Sequence, residues 1–242
     1  MTYENIAINA ERFESPPVPL DTPPEQLPPV PLDTLREQLP PNFLTMKVQD
    51  YIVGFSGNTV SYCVGIVDMV NSTKITSQLS LKKSAKYYEI FLNTMARVLN
   101  RFGGMIVKNV GDSLLFYFPE SSKGRSYGFM TGLEGSLAMQ DAHNFINMCA
   151  KKEGLPGIDY RISCDYGPVM IMDQNESHGV DMIGPSLNMC SKINHFATKN
   201  EFVIGGDLYQ VTKKLPDYSF SSKGKCDLQS KYSYPVYSVC RK

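Results

Sequence analysis

Two apolar, β-prone runs in this chain each carry a single carboxylate at one end: Val64-Gly65-Ile66-Val67-Asp68-Met69 and Val107-Lys108-Asn109-Val110-Gly111-Asp112. Runs rich in β-branched and apolar residues read as strands with at least one buried face. A carboxylate there is poorly placed for solvation, so it needs a hydrogen-bonded structural role or a cation. Two such carboxylates brought together form a hard oxygen site suited to Mg²⁺ or Mn²⁺. The bland alternative makes Asp68 a helix N-cap and Asp112 a hairpin-turn residue.

From about Tyr51 onward the pattern alternates between strand and helix. Residues 61–69 read as a buried strand. Asn71-Ser72-Thr73 then offers N-cap oxygens for one helix running to about Arg101, with Tyr87, Ile90, Phe91, Met95, Val98 and Leu99 at helical spacing. Gly103-Gly104 ends it. Residues 105–108 and 113–118 predict a hairpin turning at 109–112, and 131–151 predict a second long helix. A strand at 158–166, a Gly167-Pro168 turn and a strand at 169–172 follow. A polar loop at 173–179 contains His178. Residues 184–197 predict a helix, 201–205 a strand, 207–213 a short helix and 234–240 a last strand. The order β-α-β-β-α-β with additions is ferredoxin-like: α+β, a sheet backed by helices, with extra C-terminal strands.

The first 45 or so residues stand apart from this pattern. Residues 16–27, Pro-Pro-Val-Pro-Leu-Asp-Thr-Pro-Pro-Glu-Gln-Leu, are followed at once by a near copy at 28–39 in which Leu35-Arg36 replaces Pro23-Pro24. A repeat this rich in proline favours polyproline II or an extended arm. It reads as a semi-rigid linker or tail, residues 1–45, ahead of a domain at 46–242. The functional alternative is a docking segment for a regulatory partner with an aromatic-lined groove.

Composition narrows the function classes. Twenty-four acidic residues balance twenty-four basic ones, so charge gives no argument for a nucleic-acid or membrane partner. The six cysteines show no CxxC or CxxxC spacing and lie mostly in apolar runs, as in a reducing compartment. Three histidines without a ligand pattern argue against zinc. No stretch approaches the ~18 apolar residues of a membrane helix, and the N-terminus lacks a basic-then-apolar leader. A cytoplasmic protein is expected. The P-loop pattern is absent. Gly205-Gly206-Asp207-Leu208-Tyr209 begins like a diguanylate cyclase signature but lacks its Glu-Phe.

Four segments then occur in a telling order: Ile66-Val67-Asp68-Met69-Val70-Asn71-Ser72-Thr73, Gly103-Gly104 through Lys108-Asn109-Val110-Gly111-Asp112, Arg161-Ile162 through Gly167-Pro168-Val169, and Asp181-Met182-Ile183-Gly184 through Asn188. Together they resemble the catalytic domain of the class III nucleotidyl cyclases, the adenylate and guanylate cyclase family, over about residues 60–240. The resemblance implies a head-to-tail pair of ferredoxin-like domains with active sites between them. It implies attack of a ribose 3′-hydroxyl on the α-phosphate of a nucleoside triphosphate, with loss of pyrophosphate. Asp68 and Asp112 match the family's metal-binding aspartates for two Mg²⁺ or Mn²⁺ ions, and the Met69 carbonyl is expected to add a backbone ligand.

The same resemblance makes Lys108 and Asp181 the base-reading pair. A cation facing a ring acceptor and a carboxylate facing an exocyclic amine suit adenine, so ATP is the expected substrate and cyclic AMP the product. Asn188 matches the asparagine that orients the ribose. Four residues later the family has an arginine for the α-phosphate, and this chain has Lys192. The i, i+4 spacing keeps Lys192 on the face of Asn188, but lysine offers a point charge where arginine offers a planar fork. Lys223 and Lys225 resemble the late basic turn that holds the terminal phosphates, without a choice between them, and Thr73 is a further substrate contact. The expectation is a homodimeric adenylate cyclase, a lyase with two complete composite sites. The rivals are a weak or inactive cyclase-homology module that binds nucleotide or dimerises for regulation, and a cyclase for another triphosphate.

Overall fold

The structure is a computed structural model that describes residues 54–173, 181–228 and 232–242. The proline repeat and His178 lie outside the described residues. The elements are β1 (Gly54–Met69), α1 (Ser72–Thr76), α2 (Leu81–Arg101), β2 (Met105–Val110), β3 (Ser113–Phe118), a 3₁₀ turn (Pro119–Lys123), α3 (Ser126–Asp141) and α4 (His143–Lys152). Then come β4 (Tyr160–Asp173), β5 (Asp181–Ile183), α5 (Pro185–Asn194), β6 (Glu201–Gly205), α6 (Gly206–Thr212), β7 (Tyr218–Leu228) and β8 (Tyr232–Arg241).

The eight strands form one sheet in the order β2-β3-β1-β4-β6-β8-β7, with β5 paired to β4. The first four strands pair antiparallel in the ferredoxin-like order, and β6 joins β4 in parallel as the start of the C-terminal extension. Side-chain alternation splits β1 and β3 between two layers. Cys63, Val67, Leu114, Phe116 and Phe118 pack under α2, α3 and α4 with Tyr87, Phe91, Met95, Leu99 and Leu133. Val64, Leu115 and Tyr117 face the other way, onto Leu187 and Cys190 of α5. Asp68 and Ser113 share the parity of that second face, so the strand pattern itself lifts them out of the main core.

Three local expectations change. The helix expected from Asn71 to Arg101 is two helices. Asn71 sits at a left-handed φ of 59° with no side-chain cap, and Ser80 is the working N-cap of α2, accepting from the Lys83 amide at 3.4 Å. The helix expected over 131–151 starts earlier and divides into α3 and α4, where the Tyr160 hydroxyl takes the Met139 carbonyl at 2.6 Å and competes with the helical ladder. Gly167-Pro168 is not a turn but lies inside β4, opposite Tyr62 and Ser61. Proline is tolerated there because β6 pairs with 161–164 and β5 with 170–172, leaving the gap between them without a ladder partner for its missing N–H. Strands β5 and β7 were not anticipated.

Candidate active site

Asp68 is the penultimate residue of β1 and lies directly opposite Ser113 of β3. Asp112 sits in the tight connection between β2 and β3, where Gly111 supplies a φ of 62°. The Ser113 hydroxyl donates to Asp68 Oδ1, and the Ser72 hydroxyl donates to Asp112 Oδ2. Burial pushes the Asp68 carboxyl above the ordinary carboxylate range; the Ser113 hydroxyl offsets part of this, the charge of Asp112 adds to it, and Arg161 and His195 oppose it. The two carboxylates are thus close enough to repel, which is the electrostatic setting a divalent cation relieves.

No group of three or more acidic, histidine or cysteine side chains able to hold a metal occurs among the described residues. A two-carboxylate donor set does fit Mg²⁺ or Mn²⁺, because these ions take one or two carboxylates and complete their shell with water and substrate phosphate. Met69, buried at the end of β1, sits beside this pair.

Lys108 projects from β2 at a register irregularity between Ile106 and Lys108 and meets Asp181, the first residue of β5, at 2.7 Å. The other Asp181 oxygen accepts the Met182 amide at 2.8 Å, which fixes the carboxylate. Lys108 remains 47% exposed, so this ion pair contributes little stability and stays open to a ligand. β5 runs into α5 through Gly184, and the Asn188 amide bonds the Gly184 carbonyl at 3.4 Å. Asn188 and Lys192 are both exposed, one turn apart. A cleft of about 330 Å³ brings Asn188 and Ser191 of α5 to Ile66, Val110 and Ser113 of the sheet.

The late basic segment divides. Lys223 is tied to Glu201 at 3.0 Å, and Glu201 is also held by the amide and hydroxyl of Thr198 at 2.7 and 2.8 Å. Lys225 follows the β-bulge at Gly224, whose φ is 114°, and is exposed. Thr73 is exposed on α1, and its carbonyl accepts the Ser77 amide at 3.1 Å. The described contacts therefore join Lys108 to Asp181, set Asp68 and Asp112 side by side, and give Lys223 an internal partner.

Sequence reading missed the serines at the carboxylates, as well as Arg161 and His195. Arg161 lies opposite Asp68 in the β1–β4 register, and its Nε is buried with no hydrogen-bond partner among the described residues. His195 follows α5, whose Asn194 donates to the Arg161 carbonyl at 3.4 Å. For Ser113 a signal existed: it follows Asp112 and opens the strand paired with β1.

The β2-β3-β1-β4 sheet with its α5 face defines an α+β domain of the cyclase-homology class. The chain belongs to the adenylate and guanylate cyclase catalytic domain family, whose sequence model matches residues 57–240. It is similar to the cytidylate cyclase of Staphylococcus aureus, 23% identical over 188 residues that cover 72% of this chain and 44% of that relative. The chain thus spans less than half the length of that curated relative. Among solved structures, the adenylyl cyclase CyaB from P. aeruginosa superposes with a TM-score of 0.67 at 18% identity, covering 76% of this chain and 96% of the other. The guanylyl cyclase Cya2 gives 0.65 at 17% identity, covering 76% and 93%. At these identities the solved structures speak for the fold.

Proposed function

We propose that this chain is a metal-dependent nucleotidyl cyclase that acts on a triphosphate with an amino-bearing base, ATP first. The observation that carries the base assignment is the 2.7 Å Lys108–Asp181 contact, an exposed donor beside a fixed acceptor. Lys108 donates to adenine N1 while Asp181 accepts from the 6-amino group. Asn188 orients the ribose so that O3′ faces the α-phosphorus. The O3′–P bond forms, the bond from phosphorus to the β-phosphate bridging oxygen breaks, pyrophosphate leaves, and the hydroxyl proton passes to solvent. Lys192 balances the charge that grows on the α-phosphate. With Lys223 held by Glu201, we assign the terminal phosphates to Lys225, with the Thr73 hydroxyl as a further triphosphate contact. Asp68, Asp112 and the Met69 carbonyl would hold two divalent ions, which lower the pKa of the 3′-hydroxyl and neutralise the triphosphate.

The carboxylates and the base pair serve different sites of a symmetric homodimer in this reading. Asp68 and Asp112 come from one subunit, and Lys108, Asp181, Asn188 and Lys192 from its partner. At the cleft Val110 and Ile183 are 53% and 45% exposed, an apolar rim that a second copy would cover. No helix among the described residues is long and apolar enough to cross a membrane. We place the protein in the cytoplasm, with the proline repeat as an arm for a regulatory partner.

A second reading takes CTP. Cytosine presents the same ring acceptor and neighbouring amino group at N3 and N4, and one similar protein is named a cytidylate cyclase. The test is to incubate purified protein with Mn²⁺ and each of the four triphosphates in turn. Cyclic product from ATP supports the first reading, and from CTP the second. Nucleotide binding without product from any of the four would overturn both and leave a regulatory module.

A further inference from the structure

The serines at the carboxylate pair are arranged crosswise. Ser113 follows Asp112 in the chain yet gives its hydroxyl to Asp68, its direct partner across β1 and β3. Ser72 lies just beyond Asp68 in the chain yet gives its hydroxyl to Asp112. Each acidic stretch therefore supplies one carboxylate and the donor that holds the other stretch's carboxylate. Both serines are buried, at 5% and 8% exposure. Elsewhere in the molecule Thr94, Ser136 and Thr212 satisfy their hydroxyls locally, on the carbonyl four residues back in their own helix. Ser72 and Ser113 instead reach 40 and 45 residues along the chain.

Two partly buried carboxylates that repel would otherwise swing apart about their side-chain torsions. Hydroxyl-to-carboxylate bonds are among the stronger protein hydrogen bonds, and each one fixes the direction in which the accepting carboxylate points. Each serine occupies one oxygen, Oδ1 of Asp68 and Oδ2 of Asp112. We propose that Ser72 and Ser113 are positioning residues, a reciprocal hydroxyl clasp that presets Asp68 and Asp112 as a cradle for divalent cations. The second oxygen of each carboxylate is the one presented to the metal. The inference rests on the metal-dependent reading above.

Loss of an outer partner of a metal ligand typically costs about 10- to 100-fold in metal affinity. The test is Mn²⁺ binding followed by electron paramagnetic resonance in the presence of 3′-deoxy-ATP, which lacks the attacking hydroxyl and cannot cyclise. 3′-Deoxy-CTP run in parallel covers the second base. Ser72→Ala and Ser113→Ala should each bind Mn²⁺ at least ~10-fold more weakly with an unchanged melting temperature. Ser72→Thr, which keeps the hydroxyl, should restore affinity to within about threefold of the unaltered chain. Where an alanine variant fails to fold, the matching Ser→Cys variant keeps the shape with only a weak donor and should show the same loss. Unaltered protein that binds Mn²⁺ while the alanine and cysteine variants bind it equally well overturns the clasp and leaves the cyclase reading intact. Unaltered protein that binds no Mn²⁺ with either analogue overturns the metal reading, and the clasp with it.

Discussion

A lysine at position 192 can neutralise an α-phosphate but cannot fork two hydrogen bonds onto it, as a guanidinium does. Lys192→Arg should therefore raise kcat, by about tenfold, while Lys192→Ala should lower it by roughly 10²–10³, the usual cost of losing one preorganised transition-state donor. Equal kcat for all three proteins would remove Lys192 from the site. Asp165 carries a second residue-scale consequence. It is 1% exposed, accepts the Tyr234 hydroxyl at 2.7 Å and the Tyr166 and Leu208 amides at 2.9 and 3.2 Å, and faces Asp207. Burial, which these bonds only partly offset, pushes its carboxyl up to about 6. The folded state then binds more protons than the unfolded state between pH about 4 and about 6. Stability falls as pH rises through that window and is flat above it, a change on the order of 3 kcal/mol. Denaturant unfolding at pH 4.5 and 7 should show this slope in the unaltered protein and lose it in Asp165→Asn. Equal slopes would contradict it.

At the scale of elements, apolar patterning made β1, the β2–β3 hairpin and β6 legible, because each buries a continuous run between clear turn residues. The break between α1 and α2 was hidden because it lies at 77–80, where Ser80, the cap of α2, is one more small polar residue in a run that already offers a helix start at 71–73. The split of α3 from α4 depends on Tyr160, which arrives from a distant strand. β7, rich in serine and lysine, has too little apolar alternation to announce itself and is held by its ladder to β8. Asp68, Asp112, Lys108, Asp181 and Asn188 are proposed for the site from local motifs, whereas the serine contacts join residues 40 and 45 apart and exist only once the strands pair. The packing of the strand that carries Asp68 is itself testable. A Cβ at Gly65 would lie 2.4 Å from the Phe116 ring and 2.6 Å from Cys164 Sγ. Gly65→Ala should lower the free energy of unfolding by about 1–3 kcal/mol, read as a drop in melting temperature. An unchanged melting temperature would mean that β1 and β3 are spaced more loosely than described.

At the scale of the whole molecule, one chain would contribute different halves of two sites in the proposed function. The hairpin end of the sheet would supply carboxylates, while β2, β5 and α5 would supply base, ribose and phosphate contacts. On that proposal a homodimer would be the smallest active unit, and a single substitution in either half would disable both sites. Asp112→Asn and Asn188→Ala homodimers should each be inactive. Mixed in equal amounts and allowed to exchange subunits, half of the dimers would be mixed, each with one intact site, so activity should return to about a quarter of that of the unaltered protein. That mixing measurement, run with Mn²⁺ and the triphosphate the protein cyclises, tests the split site most directly. Recovery of about a quarter is the predicted result, and a mixture as inactive as its two components, with subunit exchange verified, would contradict the account.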